Sequence, residues 1–168
     1  MNKFTTMNKS IILLISFLSL SLNAYCQKFT LAELISMTKM SFDDFDTYAT
    51  NKKYIYLKAE SEEIFKSTSY AFNPTNDKAK FFIAKYEYFI IPKAAVSYQF
   101  ASSEYYTSIK NELIKAGFKL LSEKEKDGEK NFKYNKDGIV IDIWIMRDNE
   151  NNAGIQETYY EISSSIKK

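Results

Sequence analysis

After Asn51 the apolar residues of this chain stop recurring at helical intervals and begin to alternate, and further along the same switch happens again. Ahead of the first switch, Thr30-Leu31-Ala32-Glu33 has the form of a capping box. Ser41-Phe42-Asp43-Asp44 is a looser version with Asp in the place of Glu. Leu31, Leu34 and Ile35 then share one helical face, and Phe42, Phe45 and Ala49 share another. Asp43, Asp44 and Asp46 fall in the first turns of the second helix, where the helix dipole favours negative charge. Four alternating stretches follow as strands, over 54–59, 66–72, 80–90 and 95–100. Asn73–Asp77 and the region of Pro92 supply the breaks. A third helix over 103–116 turns Tyr106, Ile109 and Leu113 inward and ends at Gly117. Four more strands cover 118–124, 130–134, 139–147 and 155–163. Asp127-Gly128 and Asp137-Gly138 between them have the chemistry of tight hairpin turns.

The fold class expected is therefore α+β: two tandem helix-plus-four-strand repeats, about 41–101 and 103–165, with antiparallel sheets that carry their helices on one face. An offset of 64 residues aligns Phe42 with Tyr106, Phe45 with Ile109, Ala49 with Leu113 and Tyr54 with Phe118. Near the repeat ends an offset of 62 aligns Tyr98 with Tyr160 and Phe100 with Ile162.

Residues 1–26 read as a signal peptide. Lys3 and Lys9 form a basic start, Ile11–Leu22 is an apolar run too short to span a bilayer, and Ala24 and Cys26 are small residues before a cut at Gln27. The mature protein expected is a single domain over 27–168, periplasmic or secreted, with no transmembrane segment. A lipid anchor on Cys26 fits poorly, because Asn23 and Tyr25 stand where a lipobox wants a Leu-like and a small residue. Without Cys26 the mature chain holds no cysteine, so burial alone must hold it together. Without Lys3 and Lys9 its bases and acids balance, and Arg147 is the only arginine. Neither feature suits a nucleic-acid partner.

Tandem helix-plus-four-strand repeats behind a signal peptide resemble the architecture of the β-lactamase inhibitory protein family and related periplasmic inhibitor or binding domains. The resemblance covers most of the mature chain in element order and rests on no motif. The chain departs from that family in having no disulfides. It is equally similar to other small exported proteins whose mature end begins with Gln.

The chain has no histidine, which removes the commonest general base and metal ligand. No cofactor is expected. Ser36-Met37-Thr38-Lys39 matches an S-x-x-K pattern, but its companion motifs are missing. The spacing recurs at Ser164 and Lys167 in what reads as a C-terminal tail. Asp148, Glu150 and Asn152 resemble part of a calcium loop without its closing Glu. Glu60, Glu62 and Glu63, and Glu123 with Glu125, are carboxylates in stretches that read as solvated.

Strand 139–147 says most about function. Ile139, Ile141, Ile143 and Ile145 share the face that packs on helices, while Val140, Asp142, Trp144 and Met146 share the other. In the last strand Tyr160 and Ile162 point inward, and Glu157, Tyr159 and Glu161 outward. If helices cover one face only, Trp144, Asp142, Tyr159 and Glu157 form a binding face of the kind that protein hot spots use. The expectation is a non-catalytic exported binding protein, an inhibitor or accessory subunit, whose partner is a protein of the cell envelope or a second copy of itself. The alternatives are a carboxylate-dependent hydrolase and a self-associating envelope component.

Overall fold

The computed structural model describes residues 28–72, 81–91, 93–148 and 157–167. The elements run α1 (Leu31–Lys39), α2 (Phe42–Asn51), β1 (Ile55–Ser61), β2 (Phe65–Phe72), β3 (Phe81–Tyr88), β4 (Lys93–Phe100), α3 (Ser103–Lys115), β5 (Lys119–Lys126), β6 (Glu129–Lys136), β7 (Ile139–Asp148) and β8 (Glu157–Lys167). The signal peptide, Cys26 and Gln27 lie outside the described residues, as do Glu150 and Asn152 of the calcium-like loop. No helix among the described residues is long and apolar enough to cross a membrane.

The eight strands form one antiparallel sheet in the order β1-β2-β3-β4-β8-β7-β6-β5. Each repeat is a meander of sequential neighbours. The last strands of the two meanders pair with each other, from Lys93 opposite Lys167 to Phe100 opposite Tyr160. The expected sheets are thus halves of a single sheet. Helix α1 belongs to neither half, packing over the central strands β4 and β8 and against α3.

Local chemistry repeats at the helix-to-strand junctions. In the first half Lys53 N–H donates to the Thr50 carbonyl and Tyr54 N–H to that of Ala49. In the second Gly117 donates to Ile114 and Phe118 to Leu113. Both junctions need a left-handed residue, Lys53 at φ 67° and Gly117 at φ 81°. Both edge strands then carry a bulge, at Leu57 in β1 and at Leu121 in β5. The Asp-Gly pairs take positive φ at both residues, as hairpin turns of this type demand.

Helix starts follow the caps. Thr30 accepts from Glu33 N–H while Glu33 accepts from Thr30 N–H, and Ser41 accepts from Asp44 N–H. Beneath the helices lies a largely aromatic core. The Phe29 ring sits 5.2 Å from both Tyr54 and Tyr98, Phe100 meets Tyr105 at 4.5 Å, and Tyr160 stacks on Tyr106 at 4.8 Å. Tyr105, rather than Tyr106 alone, is the deeply buried ring of α3, and its hydroxyl donates to the Phe29 carbonyl. Burial raises the Tyr54, Tyr98 and Tyr105 hydroxyls far above the usual phenol range, so they stay neutral. This core runs through the described residues from Phe29 to Ile162.

Lys85 is the one Asp, Glu, Lys or Arg side chain that is buried among the described residues. It faces the helices from β3, and its ammonium donates to the carbonyls of Met37 and Thr38 at 3.0 and 3.3 Å. Those are last-turn carbonyls of α1, where the helix dipole favours a cation. The C-terminal stretch is strand, not tail: Ser164 and Ser165 lie buried in β8 between β4 and β7.

Candidate functional site

All three helices pack on one side of the sheet, so among the described residues no layer covers the other side. Strand register decides which residues occupy it. A row runs Ala71, Phe82, Gln99, Glu161, Trp144, Asn131 across six strands. Beside it runs Ser69, Ala84, Ser97, Ser163, Asp142, Lys133. Period-two alternation puts the isoleucines of β7 on the helix side, and Ile141 and Ile143 are fully buried there.

Of the candidates read from the sequence, Trp144 and Asp142 stand on this open face at successive same-face positions of β7. Trp144 is 40% exposed. Tyr159 lies diagonally from Trp144, opposite Met146, and is half-buried. Asp142 is half-buried, with Lys133 of β6 at 3.5 Å. Glu157 begins β8 opposite Asp148. Trp144 lies between Asp142 and Tyr159 on this face, one same-face position from Asp142 and diagonal to Tyr159.

The residue at the middle of this face is Glu161. Its two oxygens are separately held: one accepts from the Ser97 hydroxyl at 2.7 Å, the other from the Gln99 amide at 2.9 Å. Phe82, 38% exposed, and Trp144 flank it along the row. Small residues make the floor, with Ala95, Ser97 and Ser165 nearly covered by larger neighbours. Farther along the face, Phe65, Tyr86 and Tyr88 form a ring cluster with centroids 6.2 to 6.4 Å apart. Burial, then the charge of Glu161, raises the Tyr86 hydroxyl, which therefore remains a neutral donor. Glu161 reads outward in sequence, but its central place depends on β4 pairing with β8. Nothing local encodes that pairing.

The remaining sequence candidates sit apart. Ser36 and Lys39 are exposed on α1, and Ser164 is enclosed in β8. Glu60, Glu62, Glu63, Glu123 and Glu125 are exposed. Among the described residues no cluster of three acidic, His or Cys side chains is placed to hold a metal. On the helix side a cavity of about 320 Å³ lies between the start of α2, at Ser41 to Asp43, and Lys66, Lys85 and Glu87 of the sheet. It holds charges of both signs. Glu33 is a carboxylate with a large shift, and the shift is downward. Partial burial pushes it up, but hydrogen bonds from Lys52, Tyr48 and Thr30 outweigh that and hold it at about 2. That direction suits a structural anion rather than a proton donor.

No protein-family model, no curated protein and no solved structure matches this chain. The likeness to the β-lactamase inhibitory protein family accordingly stands on element order alone.

Proposed function

We propose that the protein is an exported, non-catalytic binding protein that engages a protein partner through the open face of its sheet. The observation that carries this reading is the row Phe82, Gln99, Glu161, Trp144: two exposed rings either side of a carboxylate whose oxygens are fixed in advance. Exposed aromatics around a preorganised polar group are what interface hot spots require. The charge at the centre selects for a partner that presents a basic side chain between apolar surfaces. Export through residues 1–26, delivery to the periplasm or beyond, and use as an inhibitor or accessory subunit belong to the same proposal.

The test is a pull-down from native cell-envelope extract with the tagged chain from Gln27, run beside Trp144→Ala and Glu161→Gln. A partner captured by the parent and lost from both variants supports the reading. Because Trp144 is 40% exposed, Trp144→Ala should alter stability by no more than about 1 kcal/mol. Unfolding of that variant would make Trp144 a core residue and end the proposal. A discrete dimer with no other partner would replace it with self-association.

A further inference from the structure

Phe89, Ile90 and Ile91 join β3 to β4 at 52, 74 and 63% exposure, and Ile64 on the neighbouring hairpin is 49% exposed. Their alternation reads in sequence as a continuation of β3 to Ile90. In the structure the strand stops at Tyr88, itself 36% exposed, and the apolar run becomes a hairpin tip. Turn positions normally go to Gly, Asn, Asp or Ser, as they do in the two Asp-Gly tips of this same sheet. None of Phe89, Ile90 and Ile91 contributes to the core. A local choice that folding does not need, and that costs solubility, marks a surface with another use.

The shape is a ridge. Tyr88 is the last rung of β3 on both sides, opposite Phe65 and Lys93, so the tip lies beyond the ladder. Phe89 N–H donates to the Ile64 carbonyl at 3.0 Å, which joins the two hairpin tips into one apolar end. Behind that end the polarity is layered. The rings of Phe65, Tyr86 and Tyr88 come next, and the Lys93 ammonium stands 5.9 Å from the Tyr88 centroid. An apolar tip backed by a rung that carries Phe65, Tyr88 and Lys93 together, with Tyr86 behind it, follows the change in polarity from acyl chains to the interfacial layer. A protein pocket would instead need polar groups at the tip to fix its register, and Phe89, Ile90 and Ile91 have none. Glu62, Glu63, Lys66 and Lys93 surround the base with both signs of charge, so the attraction is apolar rather than electrostatic.

We propose that the Tyr88–Ile91 tip, together with Ile64, dips into the interfacial layer of a lipid bilayer and holds the sheet end-on to a membrane, without a requirement for anionic lipid. The experiment uses the chain from Gln27, which keeps the whole described core and omits the apolar run 11–22. Phe89→Trp in a Trp144→Phe background reports on the tip. On phosphatidylcholine vesicles its emission shifts to the blue and is quenched by lipids brominated along their acyl chains. Raising the salt, or adding phosphatidylglycerol, changes the bound fraction by less than about twofold. Ile90→Asp with Ile91→Asp lowers binding by at least about tenfold, with an unchanged circular dichroism spectrum. Absence of vesicle binding, or equal binding by the double variant, overturns the proposal. A dimer that the double variant converts to monomer overturns it too, by assigning the tip to a second copy.

Discussion

The two halves of the sheet answer the same structural demand with different residues. At the end of the first-half helix the left-handed position is Lys53; at the end of the second it is Gly117. Beneath α2 the core positions are Phe45 and Ala49, and beneath α3 they are Ile109 and Leu113, a large-small pair set against two of middle size. The backbone arrangement tolerates both, so the junction requires a left-handed terminator and a buried apolar pair rather than particular side chains. The tips differ more. The β5–β6 turn is Asp127-Gly128, chosen for its backbone, whereas the first half exposes Ile64 and the run from Tyr88 to Ile91. The described tips of the second half, Asp127-Gly128 and Asp137-Gly138, are suited to folding alone; the described tips of the first half, at Ile64 and at Phe89, Ile90 and Ile91, are not explained by folding.

Changes at equivalent positions measure how interchangeable the halves are. Leu113→Ala gives α3 the small residue of α2 without its large companion, and should cost about 3 kcal/mol in denaturant unfolding. Adding Ile109→Phe completes the first-half pair and should recover about 1 kcal/mol or more. No recovery would mean that the two helices pack on unlike surfaces. Glu33 braces α1 against the first half through Tyr48 and Lys52, while Glu112 of α3 accepts from Leu31 N–H. With its pKa lowered from 4.5 to about 2 in the folded protein, Glu33 contributes stability that is present above about pH 4.5 and is lost as pH falls toward 2. Because the group is partly solvated, Glu33→Gln should cost only about 1 kcal/mol at neutral pH, and the difference from the parent should close below pH 3. Smallest are the junction changes. Gly117→Ala meets no steric neighbour, so only its positive φ resists, at about 1 kcal/mol. Lys53→Gly should stabilise by about 0.5 kcal/mol. Shifts of opposite sign in melting temperature would confirm that the two junctions are one device.

Sequence reasoning reaches as far as local signals do. The caps at Thr30 and Ser41, the terminator Gly117, the Asp-Gly turns and the inward isoleucines of β7 are each encoded within a few residues, and all are present. The join of β4 to β8 is not local, so the single sheet and the central place of Glu161 were beyond reach. Ser163, Ser164 and Ser165 lack the β-branched character of strands, yet tertiary pairing on both sides holds them in one. The end of β3 differs from the expectation for the opposite reason, since apolar alternation runs on past the last rung at Tyr88. Lys53 carries no signature of a left-handed residue, and Lys85 none of a buried one. For the candidate face, the alternation of β7 and β8 is enough to place Trp144, Asp142 and Tyr159 on one side of the sheet.

The seam between the halves has a kinetic consequence. Every strand pair but one joins neighbours along the chain, and the exception, β4 with β8, brackets the whole second half. Each meander can therefore zip up through short-range steps, and the large loop closure falls on a single event at the centre of the sheet. Until then both inner strands expose their ladders as free edges. A chain severed between β4 and α3 would still carry both sides of that seam, so the two pieces should find each other and rebuild the sheet by complementation.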